Sequence, residues 1–136
     1  MNLVKSILIA VLILMVSSVD AKPLKTNKVY MFGFSASFKD SVVYVTEIQN
    51  VQEAWIDTKT KFLLGRDQYS AQLKNYLTDK LNQPGRVSMV LFELNKKKAE
   101  KLYLKLMKKY QKGYDVRYVN NKDFSFEAID MSPDDK

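Results

Sequence analysis

Residues 86–94, RVSMVLFEL, decide how the chain is organised. They are the most apolar run after the first 21 residues, and an amphipathic segment lies on each side. A short apolar run bounded by turn signals is the pattern of a buried strand. Residues 86–94 are therefore expected to be an interior strand, with one helix feeding in and another leaving.

The helix feeding in is expected over residues 69–82. Tyr69, Leu73, Tyr76, Leu77 and Leu81 recur at helical spacing, so one face is apolar. Asp67 is the expected N-cap, since its carboxylate can accept from the first free N–H groups. Pro84 and Gly85 end the segment. The helix leaving is expected from Asn95, a second N-cap, to about Lys112, with Gly113 in the left-handed stop position.

Farther out the period changes to two. In residues 29–38, VYMFGFSASF, one face carries Tyr30, Phe32, Phe34, Ala36 and Phe38. The other carries Val29, Met31, Gly33, Ser35 and Ser37 and is mostly small. That alternation predicts a strand whose aromatic face packs under a helix. Gly33 marks a bulge or a close neighbour. After the break at Lys39 and Asp40, residues 41–48 (SVVYVTEI) predict the return arm of an antiparallel hairpin. Residues 50–67 read as a long loop bearing Trp55, with room for one helical turn. Residues 114–119 (YDVRYV) and 124–129 (FSFEAI) alternate on either side of a turn and predict a closing hairpin.

The order is β-β-α-β-α-β(-β). It implies an α/β (α+β) fold: a single domain at 29–130 with a mixed four- to five-stranded sheet and two helices. The strand–helix–strand steps imply parallel pairing with a right-handed connection. Whether the helices share one face or take one each is left open by the pattern.

The ends read differently. Residues 1–21 are expected to be an export signal: Lys5, then ten apolar residues at 7–16, then small residues Val19 and Ala21 at the cleavage-reading positions. Ten helical residues span roughly 15 Å, about half a bilayer core, too short for a spanning helix. No Cys follows, which excludes a lipid-anchored lipoprotein. Residues 22–28 are expected to be a flexible basic lead and 131–136 a polar tail. The signal would remove one Lys and one Asp, leaving the net charge at +7. The chain has no Cys and no His. That excludes disulfides, Cys–His and Ser–His–Asp nucleophilic sites, and the usual zinc sites. No cofactor, metal ligand or catalytic residue is assigned.

Charge is concentrated on the second helix. On a helical wheel Lys97, Lys98, Lys101, Lys105, Lys108, Lys109 and Lys112 occupy an arc of about 120°, opposite Ala99, Leu102, Tyr103, Leu106, Met107 and Tyr110. With Lys96 the segment holds eight Lys and one Glu, a surplus equal to the net charge of the protein. Like-charge i,i+4 pairs such as Lys101 with Lys105 each cost about 0.2–0.5 kcal/mol. Lysines in the first turn also oppose the helix dipole. The arc is thus either a tolerated solvated face or a surface for an anionic partner: lipid, lipopolysaccharide, acidic glycan or acidic protein. The helix aromatics lie on the opposite face, so no base-stacking platform is present, and export also argues against nucleic acid.

Trp55, Phe62 and Arg66 are a second candidate, a loop patch that would line a cleft unless its residues only tuck the loop onto the core. Arg66 and Asp67 would form an ion pair in the bland case. Glu47 and Glu53 are candidate acid and base, without a spacing that fixes their separation. Ser and Lys are plentiful, but no motif supports a Ser–Lys dyad.

Residues 28–38 (KVYMFGFSASF), 62–70 (FLLGRDQYS) and 114–119 (YDVRYV), taken with the signal, resemble small exported, functionally uncharacterised proteins of Bacteroidota-type bacteria. The resemblance implies an envelope location in a Gram-negative cell. It implies no activity and no site residues. The leading expectation is a non-enzymatic periplasmic binding or accessory module, with no transmembrane segment after signal cleavage. The alternatives are a small hydrolase using carboxylates or a Ser–Lys pair, and a nucleic-acid binder if residues 1–21 are not a signal.

Overall fold

The computed structural model describes residues 22–133. The expected export signal, residues 1–21, lies outside the described residues, as does the end of the polar tail. The elements in chain order are β1 (Pro23–Thr26), β2 (Val29–Ala36), β3 (Val42–Thr46), β4 (Gln49–Val51), β5 (Ala54–Asp57), α1 (Arg66–Asp79), β6 (Val87–Glu93), α2 (Lys96–Tyr110) and β7 (Asp115–Val119).

The alternating run becomes β2, the strand around which the main sheet is laid. One edge of β2 pairs with β6, antiparallel, from Tyr30↔Glu93 to Ala36↔Val87. The other edge pairs with β3 and then, farther back, with β4, both antiparallel. Between these two contacts β2 advances three residues, from Met31 to Phe34, while its partner advances four, from Val45 to Gln49. The extra residue is a β-bulge. There the Gly33 N–H donates to Thr46 Oγ1 at 2.8 Å instead of to a carbonyl. The hairpin expected from residues 29–48 is therefore present, with a kink in its return arm.

The same register runs on through Thr26↔Ala54 to Pro23↔Asp57, where β1 pairs with β5. Residues 22–28, expected as a flexible lead, thus hold a strand. Residues 50–67, expected as a loop, hold most of β4 and all of β5, and their outer end is a tight turn closed by the Ile56↔Leu63 bridge. Short polar strands such as PLKT carry no apolar alternation, so the pattern passes over them.

β7 runs parallel to β3, from Val42↔Asp115 to Thr46↔Val119. β6 and β7 therefore point the same way, as the strand–helix–strand order requires. They are not neighbours, however: α2 carries the chain across β2 and β3 to the far edge. The sheet is mixed and five-stranded, the fold is α+β, and the chain order follows the expected one with β1, β4 and β5 added.

Residues 86–94 are not interior. Among the described strands β6 pairs with β2 alone, so it forms an edge, and Val87 and Met89 are 58% and 45% exposed. Its apolar run reflects helices on both faces rather than strands on both sides. α1 lies on one face, burying Tyr69, Leu73 and Leu77 against Val29, Met31 and Val90. α2 lies on the other, with Tyr103 edge-on to Phe32 at 5.1 Å and Tyr110 against Phe34 at 4.7 Å. The structure has three layers, one helix to a face. The aromatic face of β2 is under a helix as its alternation predicts, although Phe38 lies past the strand end in solvent. On the opposite face Gly33 is required by close approach. A Cβ there would sit 2.5 Å from Leu73 Cδ2 and 3.1 Å from Phe126 Cζ.

Residues 124–133 form no strand, contrary to the expected closing hairpin. They lie as a strap along the α1 face, tied by side chains. Gln49 accepts from Phe126 N–H (2.7 Å) and donates to Phe124 O (3.2 Å). Gln72 accepts from Glu127 N–H (3.0 Å) and donates to Glu127 O (2.8 Å). Tyr69 Oη accepts from Ile129 N–H at 3.0 Å. The alternation of FSFEAI is satisfied by burying Phe126 and part of Phe124 and Ile129 over α1.

Candidate functional site

α2 starts as its sequence dictates. Asn95 is extended, and its side chain accepts from the Lys98 N–H at 3.2 Å. Gly113, beyond the helix, adopts φ +86. The apolar stripe faces the sheet, burying Ala99 and Met107, so the lysine arc is turned to solvent. Lys97, Lys98, Lys101, Lys105, Lys108, Lys109 and Lys112 are all exposed. Among the described residues Arg86 pairs with Asp40 and Arg117 with Asp115, and no described carboxylate pairs with a lysine of the arc. Lys109 Nζ lies 5.5 Å from the Tyr110 ring. Glu100, the only acid in the helix, borders a hollow with Lys96, Tyr30, Ile48 and Asn50, to one side of the arc.

The loop patch is divided by the fold. Trp55 lies on β5 opposite Lys25, whose Nζ is 5.9 Å from the indole. The two residues border a hollow of about 230 Å³ with Glu53, Ala128 and Asp130. Asp130 is held below the usual aspartate range, chiefly by the Ser132 N–H and then by the Ser132 hydroxyl, with Lys25 adding a smaller effect. It is ionised at neutral pH and is no proton donor there. Glu47 is elsewhere, accepting from Asn121 N–H at 3.0 Å, so Glu47 and Glu53 do not form an acid–base pair.

Phe62 instead borders a hollow with Phe92, and Arg66 reaches the same ring. The Arg66 guanidinium lies 5.6 Å from the Phe92 ring, and Arg66 Nε donates to Val90 O at 2.9 Å. Arg66 thus reaches the edge strand and forms no ion pair with Asp67. The α1 N-cap is Gly65, at φ +73 and without a side-chain bond, and Asp67 lies within the first turn. Leu63, three residues before Arg66, is buried and anchors the turn to the core. Phe62 is 66% exposed and stands at the rim of a hollow of about 400 Å³. Thr60, Lys61, Phe92, Glu93, Leu94, Asn95 and Lys98 complete that hollow. Nothing in the sequence marks Thr60 and Lys61 as site residues, since a left-handed Lys61 (φ +64) leaves no compositional trace.

Among the described residues no helix is long and apolar enough to cross a membrane. Comparison with protein-family models, with curated proteins and with solved structures found no match.

Proposed function

We propose that this protein is an exported, non-enzymatic module of the cell envelope that binds an anionic lipid surface through the lysine face of α2. One observation carries the reading: seven lysines share one exposed arc and none is paired with a carboxylate among the described residues. A helix that only needed solubility would mix Glu with Lys and gain i,i+4 pairs, whereas this one keeps the unfavourable ones. Anionic leaflets attract such a face over a distance set by screening, about 10 Å at 0.1 M salt. Apart from Leu104, which is 65% exposed, the aromatic and aliphatic residues of α2 face the sheet, so adhesion is chiefly electrostatic and reversible. The expected export signal and the resemblance to small exported proteins support the location.

Co-sedimentation with phosphatidylglycerol vesicles and with phosphatidylcholine vesicles, at low and high salt, tests this. Binding to the anionic vesicles alone, lost at high salt and in a Lys101→Glu/Lys105→Glu/Lys108→Glu variant, is the expected result. Equal binding to both vesicle types, or to neither, removes the lysine face as a functional surface.

A further inference from the structure

The hollow at Phe62 has a chemistry of its own and shares only Lys98 with the lysine arc. We infer that it binds a small acidic sugar, a uronic acid or a unit of that kind, with the pyranose face on Phe62.

Phe62 is the first observation. Phe62 is 66% exposed beside the hollow, and its backbone is held by hydrogen bonds on both sides. Its carbonyl accepts from Asp57 N–H at 2.9 Å and its N–H donates to Thr60 Oγ1 at 3.3 Å. Lys61 N–H donates to Asp57 O at 2.7 Å, and Lys61 holds φ +64. The turn thus presents the ring at the rim without a loop having to order on binding, which keeps the entropic cost of binding low.

The second observation is charge. Lys61, Lys98 and Glu93 line the same hollow, and none of the three forms an ion pair among the described residues. The hollow carries a net single positive charge, two Lys against one Glu, and an anionic ligand would add the charge that balances it. Two ammonium groups suit one carboxylate, and Glu93 accepts from hydroxyl groups. Asn95 uses its Oδ1 to cap α2, which leaves its amide N–H groups as donors. Acceptors and donors set around a phenyl ring match a ring with an apolar C–H face and hydroxyls at its rim. A volume of about 400 Å³ accommodates one such ring, at the small end of the range for ligand sites.

An amide-resolved NMR titration of the full chain with D-glucuronate, glucose and benzoate provides the test. Saturable shifts at Phe62, Glu93 and Lys98 with glucuronate are expected, with glucose about tenfold weaker for want of the charged contact. Phe62→Ala and Lys61→Asn should each weaken glucuronate by about tenfold. Asn tolerates the left-handed backbone, so Lys61→Asn removes the charge and spares the turn. Lys108→Glu/Lys112→Glu, more than two turns from Lys98, should leave the titration unchanged, which separates this site from the rest of the lysine face. Absence of saturation with glucuronate, shifts that persist in both hollow variants, or tighter binding of benzoate than of glucuronate would each overturn the assignment.

Discussion

Gln72 holds both main-chain polar groups of Glu127, its Nε2 donating to the carbonyl at 2.8 Å and its Oε1 accepting from the N–H at 3.0 Å. One side-chain amide thus does for the strap what a neighbouring strand would do. Gln49 repeats the arrangement at Phe124 and Phe126, on the buried side. The strap in turn covers Leu73 and Tyr69 with Phe126.

Gln72→Ala is expected to loosen that strap without unfolding the domain. Two exposed hydrogen bonds, at the low end of about 0.5–1.5 kcal/mol each, suggest a loss of roughly 1 kcal/mol in urea unfolding. The more specific readout is hydrogen exchange: the Glu127 amide should exchange faster while the β2 amides keep their protection. An unchanged Glu127 rate would mean the clamp is not what orders this segment.

Gly33→Ala places a methyl against Leu73 Cδ2 at 2.5 Å, in a site where Leu73 is fully buried. Overpacking of this kind costs about 1–3 kcal/mol. Reduced freedom of the unfolded chain returns about 0.4–1 kcal/mol, so the net effect is destabilising. Adding Leu73→Val should recover part of the loss, and a double-mutant cycle measures the coupling. Purely additive effects would show that the close approach does not constrain Gly33.

Arg86 and Asp40 determine an acid limit. Arg86 is buried at the start of β6; it donates to Asp40 Oδ2 (2.8 Å) and Val42 O (2.9 Å) and lies over the Tyr44 ring at 4.9 Å. Asp40 is held below its usual 3.8, chiefly by the Val42 N–H and then by Arg86. Between the folded and unfolded pKa values the unfolded chain binds more protons, so stability rises with pH there. The contribution is complete above about pH 4 and is lost as pH falls through the lowered folded value. Melting temperatures from pH 2 to pH 6 should therefore drop on the acid side. The drop should be shallower in Asp40→Asn, which retains an acceptor for Val42 and Arg86 but cannot titrate. Superimposable profiles would remove Asp40 from the acid transition; Asp57 and Asp130, also lowered, would then account for it.

Much of the architecture was legible in local patterns. The period-two run at 29–36 marked β2 and the face that α2 covers, because alternate side chains must point to opposite sides. The helical stripe at Tyr69, Leu73 and Leu77 marked α1, and Asn95 marked the start of α2 through its own hydrogen bond. The lysine arc could only face solvent, since the opposite stripe had to be buried. Phe62 and Arg66 are legible as candidates, but their common neighbour Phe92 is not, since that proximity joins the turn before α1 to an edge strand some thirty residues away.

By itself, then, the sequence determined the two helices and the strands β2, β3, β6 and β7, the faces that β2, α1 and α2 bury, and the helix that carries the charge. These follow from spacing along the chain, which a side chain cannot escape. Only the tertiary structure decided that β6 is an edge strand, that β1 extends the hairpin, and that residues 124–133 are strapped to α1 by glutamines. It alone also placed Lys61, Glu93 and Lys98 around one space. Each of those depends on which distant segments come together, and periodicity records burial without recording the neighbour that provides it.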